Sequence, residues 1–164
     1  MKCLRFRPEL GALALIVAAT SVPLLCSAKA IAADTLGGRN GASYLATSTD
    51  SNGNFRARFV FTLHADHTMS VVDSNSGGTV AFFTTALGSW KPEGSYAAAG
   101  STIDFDFPPN ADVARIDYTI NFQKNGSHVV GTQTVTTFPL QGDPFDGGGI
   151  SLGTFNFTGE LITP

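Results

Sequence analysis

Phe55-Arg56-Ala57-Arg58-Phe59-Val60-Phe61-Thr62-Leu63-His64 alternates without a break. Phe55, Ala57, Phe59, Phe61 and Leu63 fall on one side, and Arg56, Arg58, Thr62 and His64 on the other. Successive side chains of a β-strand point to opposite faces, so this period of two describes a strand with one apolar and one polar face. The period of an amphipathic helix is absent. Such a strand needs partners along its edges and apolar cover beneath it, and the neighbouring sequence supplies both.

Downstream, Ala65-Asp66-His67-Thr68 reads as a tight turn into Met69-Ser70-Val71-Val72-Asp73. Asn75-Ser76-Gly77-Gly78 makes the next turn, and the β-branched and aromatic residues of Thr79 to Leu87 suit a strand. Ser101 to Phe107 alternates again, with Ile103, Phe105 and Phe107 expected inward, and Pro108-Pro109 ends it because proline cannot donate to a ladder. Ala114, Ile116, Tyr118, Ile120 and Phe122 then share one face, opposite Arg115, Asp117, Thr119 and Asn121. Asn125-Gly126 separates that run from the strand His128 to Phe138 and is the strongest short-range hairpin signal in the chain. A turn-rich loop, Pro139 to Gly149, expected over one mouth if the strands close into a barrel, precedes a last strand from Gly153 to Leu161, and a first strand lies near Ala42 to Ser48.

These readings give an all-β chain of about seven or eight strands joined by short turns. Two architectures accommodate it: a single antiparallel up-and-down barrel or a β-sandwich. Consecutive hairpins of near-equal strands lose both exposed edges when first and last strands pair, which favours the barrel. Gly88-Ser89-Trp90, with the chain's one tryptophan, reads as a strand bend whose Trp90 plugs the barrel near one end, and Lys91 to Gly94 as the turn out of it.

The start of the chain has a different character. Lys2, Arg5 and Arg7 precede a nearly all-apolar run from Gly11 to Cys26, too short for a spanning helix and interrupted by Pro23. Ala28-x-Ala30 and Ala30-x-Ala32 both fit a signal-peptidase site, so residues 1–32 read as a secretory signal and residues 33–164 as the barrel domain. Leu25 before Cys26 argues against a lipid anchor. The expected location is secreted or periplasmic. Cys3 and Cys26 both lie within the signal, which leaves no disulfide, so the domain must be held together by its core. Cleavage also leaves six basic residues against twelve acidic ones and no basic run. That balance argues against nucleic acid, and against an anionic membrane surface, as partner.

With those positions placed, a resemblance emerges. Phe59-x-Phe61-x-Leu63-x-x-Asp66-His67-Thr68, then Gly88-x-Trp90 and Gly94, then Ile103-x-Phe105-x-Phe107 resemble the lipocalin-like, or calycin-type, barrels over roughly Phe55 to Phe107. His67 stands where those barrels usually have glycine, and their Gly-x-Trp lies on the first strand rather than mid-chain. The resemblance implies a barrel holding a small apolar ligand. A second likeness, of topology alone, is to the allene-oxide-cyclase-like or dirigent-type barrels.

Candidate chemistry is sparse. His64-Ala65-Asp66-His67 has metal-ligand types, but a hairpin turn capped by Asp66 explains it, and further ligands are distant. Asp104, Asp106 and Asp117 could do acid–base work if they converged in a lumen; alternation with Ile103, Phe105 and Phe107 places Asp104 and Asp106 outside, with Arg115 as cross-strand partner. Asp143 and Asp146 match no calcium-loop spacing. No nucleophile triad, phosphate loop or nucleotide fingerprint is present, and neither cofactor nor metal is expected. Aromatic residues are the remaining signal. If they leave a cavity, Phe59, Phe61, Trp90, Phe105 and Tyr118 are its expected wall. The leading expectation is therefore a secreted or periplasmic barrel binding a small hydrophobic molecule, not an enzyme. An isomerase or lyase using the same lumen, and a structural or surface-interaction protein with a filled core, are the alternatives.

Overall fold

The computed structural model describes residues 41–76, 83–108 and 111–164, so the export signal lies outside the described residues. Eight strands follow one another around a closed barrel: β1 (Ala42–Thr49), β2 (Phe55–Leu63), β3 (Thr68–Asp73), β4 (Ala86–Pro92), β5 (Ala97–Phe105), β6 (Asp112–Phe122), β7 (His128–Pro139) and β8 (Ile150–Leu161). Every neighbour is antiparallel, and β1 pairs with β8 from Tyr44↔Leu161 to Thr49↔Asn156, which closes the ring and removes both edges. The up-and-down barrel is the observed architecture, and its eight strands are compatible with a calycin-like fold.

The two ends differ because the connections differ. Turns of four or five residues, 64–67, 93–96 and 123–127, gather at one end, the tight end, and the connections that follow β1, β3, β5 and β7, three of them longer, leave from the other. At the tight end Asp66 Oδ1 accepts from Thr68 N at 3.0 Å and from its hydroxyl at 2.6 Å. His67 adopts φ +67°, a left-handed conformation that explains why glycine is usual in such a turn. Asn125-Gly126 forms the expected hairpin, with Gly126 at φ +66°.

The tight end is filled. Tyr44 stacks on Phe61 with centroids 5.2 Å apart, and Phe157 meets Phe59 edge-on at 5.4 Å, so four strand-borne rings interlock across the lumen. Trp90, 5 % exposed, closes this end: its Nε1 donates to His64 O at 3.0 Å, and its ring lies 5.0 Å from that of His67. Trp90 belongs to β4 itself rather than to a bend, and β4 begins at Ala86; most of the expected Thr79–Leu87 strand precedes it, and residues 79–82 of that strand lie outside the described residues.

β5 departs from the alternation reading. Thr102 and Asp104 face inward, 0 % and 7 % exposed, whereas Phe105 and Phe107 are about half exposed. Pairing explains why. Trp90 pairs with Gly100, where an added Cβ would come within 2.6 Å of Met69 Sδ, so glycine here lets the buried methionine lie against the strand. With Gly100 inward, Thr102 and Asp104 must also point inward. On the outside, Phe105 pairs with Val113 and Val113 with Phe138, forming a small apolar row across β5, β6 and β7.

Residues 140–149 fold down over that row instead of across the barrel mouth. Arg115 Nη1 donates to Pro144 O at 2.7 Å, and Phe138, although outward, is only 4 % exposed. Gly149 lies so close to the Phe138 ring that a Cβ there would approach within 2.6 Å.

Candidate functional site

Above the aromatic floor the interior opens. A cavity of about 880 Å³ reaches the end bearing the long connections. Its lower wall is apolar, built from Ala57, Val71, Ala86, Ile116 and Val135. These residues occupy the inward positions of β2, β3, β4, β6 and β7, and several are small, so the lumen is not filled there. Phe83, Phe107 and Leu152 form an apolar rim.

Polar groups interrupt this lining at defined points. On one side Gln133 Nε2 donates to Ser48 Oγ at 3.0 Å, tying β7 to β1 across the interior. On the other side stand Asp73, Asp104 and Asp106, with the buried Tyr118 beside them. Asp104 is the deepest carboxylate, and its Oδ1 has no hydrogen-bond partner among the described residues. Burial pushes its carboxyl up to about 7, and the charges of Asp106, Asp73 and Asp112 push the same way. Asp106 rises to about 6, first through burial and then through a hydrogen bond with the Asp112 side chain. Asp73 is raised by burial, against the opposing backbone hydrogen bond from Asn75 N at 2.7 Å. Burial likewise holds the Tyr118 phenol well above its ordinary range. Near neutral pH Asp104 is therefore balanced between its protonated and ionised forms. Such a group can donate or accept a proton or receive a cation.

Of the five residues expected to form the cavity wall, Tyr118 alone lines it. Phe59, Phe61 and Trp90 are buried, 2 %, 0 % and 5 % exposed, but sit in the packed floor and plug. Phe105 lies on the outer wall, a correction that follows from the inward facing of Gly100. The reading of the carboxylates changes for the same reason: Asp104 is inside and Asp106 lines the cavity, not the outer surface. Asp117 is outside, accepting from Arg115 Nε at 2.9 Å and from Ser101 Oγ at 2.8 Å. The signal that could have found Asp104 was Trp90 itself: pairing an inward tryptophan across a short turn fixes the parity of everything downstream on β5.

The histidines are used at the tight end. His64 Nε2 lies 3.2 Å from Ser70 Oγ, and His67 covers Trp90. Asp143 Oδ1 accepts from Phe145 N at 2.8 Å and shapes its own turn. Among the described residues no group of three His, Cys, Asp or Glu side chains is placed to hold a metal ion.

No family model, curated protein or solved structure matches the chain.

Proposed function

We propose that the chain is an exported, lipocalin-like binding protein that takes a small, predominantly apolar molecule through the open end of its barrel. One observation carries this reading: the roughly 880 Å³ space above the aromatic floor, apolar below and open above. Such a volume is ordinary for a small-molecule site, and polar groups placed on one side of an apolar wall orient a ligand. The outer wall supports the reading too. Arg58, Arg115, Asp117, Thr119 and Asn121 face outward while aromatic side chains fill the tight end of the lumen, the reverse of a barrel built to face lipid. The apolar run and small-residue sites at the start of the chain support export.

Thermal melting against a panel of fatty acids, alcohols, amines, terpenoids and aromatics tests the proposal. A ligand at a hundred times its Kd raises stability by about 2.7 kcal/mol. A panel in which nothing shifts the melting temperature, and nothing displaces a fluorescent apolar probe, refutes it. Trp90 lies in the plug, so its fluorescence is a poor reporter of the cavity.

Asp104 favours a second reading, an isomerase or lyase in which this carboxyl moves a proton on a bound substrate. A carboxyl held near 7 inside an apolar pocket is suited to general acid–base work. Turnover of a panel ligand by the wild-type protein, lost in Asp104→Asn with binding retained, would support catalysis over simple binding.

A further inference from the structure

We propose that the cavity selects an organic cation, a protonated amine on an apolar skeleton, with Asp104 as its counter-ion. This rests on the binding reading above and names the ligand class it serves.

The cavity is electrostatically one-sided. Asp73, Asp104 and Asp106 line it, and the one cationic side chain among its described lining residues is Arg56. That guanidinium sits at the mouth, 57 % exposed, and is already paired with Asp50 at 3.2 Å. Arg115 faces outward and is held by Asp117 and Pro144. All three histidines lie at the opposite, tight end. Asp104, over nine-tenths buried, thus lines the cavity and carries a buried, unpartnered oxygen, with no cation among the described residues to meet it. A buried carboxylate in that position is costly unless it is neutralised by a proton or by a bound cation.

The kind of cation follows from the spacing and the walls. The acidic side chains form no cluster fit to hold a metal ion among the described residues, so a single small ion has no coordination shell here. An alkylammonium needs less. It carries three donors, can meet Asp104 directly, and places its apolar part along Ile116, Val71, Val135 and the rim. The Tyr118 side chain stands beside the same carboxylate as a polar neighbour. A fatty acid would bring a second negative charge to the acidic side and be disfavoured by the same field.

The groups facing Asp104 set the pH behaviour. They are Asp73 from β3, Asp106 on its own chain, and Asp112 and Tyr118 from β6; β4 contributes the uncharged Ala86. All the carboxyls oppose ionisation of Asp104, so proton and amine compete for one site. The amine itself stays protonated to about pH 10. Its affinity should therefore rise as pH passes through about 7, where Asp104 releases its proton.

Decylamine, 1-decanol and decanoate differ only in the head group and supply the test, by calorimetry or probe displacement on the full secreted chain. At pH 8 decylamine is expected to bind at least about tenfold tighter than 1-decanol, with decanoate weakest. Its affinity should fall about tenfold between pH 8 and pH 6, from competition at a group with a pKa near 7. In Asp104→Asn the amine preference and the pH dependence should each lose most of their size while 1-decanol still binds. Retained decanol binding certifies the fold of that variant. If Asp104→Asn fails to fold, the wild-type pH profile and Asp73→Asn, expected to weaken decylamine but not decanol, carry the test. Equal binding of all three probes, or tightest binding of decanoate, overturns the charge inference and leaves the binding reading standing. Failure of all three to bind refutes the binding reading, and this inference with it.

Discussion

Raising the pH through neutrality should weaken the fold, and Asp104→Asn should remove most of the effect. Asp104 loses its proton near 3.8 in the unfolded chain and near 7 in the barrel, chiefly because burial disfavours its charge. Between those values the folded state binds more protons than the unfolded one, so stability falls as pH rises from about 4 to about 7 and levels off above. At about 1.4 kcal/mol per tenfold change in the proton equilibrium, the full step is worth roughly 4 kcal/mol. Water reaching the acidic side through the mouth screens part of it, and about 2–4 kcal/mol is the expected range. For a domain with total stability of order 5–15 kcal/mol this is a large fraction. Asp50 and Asp66 act in the opposite sense, lowered by hydrogen bonds from Asn54 and Thr68 respectively, but their contribution lies below pH 4, outside this window. Asp106 and Asp73 add in the same direction as Asp104. Urea denaturation at pH 5 and pH 8.5, without ligand, measures the difference. Asparagine has the shape of the protonated acid, so Asp104→Asn should exceed wild type by the full step at pH 8.5 and by only about two-fifths of it at pH 5. A wild-type stability flat from pH 5 to 8.5, or an Asp104→Asn protein with the same slope as wild type, would show that Asp104 is solvated or paired and would refute the account of the cavity as an unneutralised acidic site.

Trp90→Ala removes the plug of the tight end and leaves the Nε1 acceptor, His64 O, without its donor; a loss of about 3–5 kcal/mol by denaturant titration is expected, and less than about 1 kcal/mol would mean that the end is closed by something else. Arg115→Ala removes the 2.7 Å bond to Pro144 O and a guanidinium placed 5.8 Å over the Phe138 ring. Limited proteolysis should then cut within residues 140–149 several times faster, with a global cost of about 1–2 kcal/mol. Unchanged cleavage would show that the loop is held by its apolar contacts alone.

How much of this was legible varies strand by strand. β2 and β6 were read correctly because each has one strongly apolar and one strongly polar face, and the Asn125-Gly126 turn fixed the hairpin of β6 with β7. Closure followed from the meander without any residue that announces it. The cavity was not legible. It exists because inward positions at the open end carry Ala57, Val71, Ala86 and Ala114 rather than rings, and an alanine in a strand looks the same in sequence whether it faces a packed neighbour or an open lumen. Loop 140–149 misled for a related reason: its glycines allow a lid, but Phe138 and Arg115 on the outer wall hold it down.

β5 is the most instructive failure, because two local rules conflict there. Hydrophobic alternation places Ile103, Phe105 and Phe107 inside; pairing with the inward Trp90 places Gly100, and with it Thr102 and Asp104, inside. Register wins because burying Trp90 fixes the facing of every residue paired across from it, whereas an outward phenylalanine can recover part of its burial beside Val113 in the row that Phe138 continues. The cost of that choice is concentrated in one residue, a buried carboxyl without a protein partner. A chain selected only for stability could replace Asp104 with an uncharged residue of similar size at no loss of packing. A destabilising acid in the wall of an open apolar cavity suits the proposed ligand site and has no use in a purely structural barrel. The same substitution therefore tests both ideas: Asp104→Asn should make the protein more stable above pH 7 and less able to hold an amine.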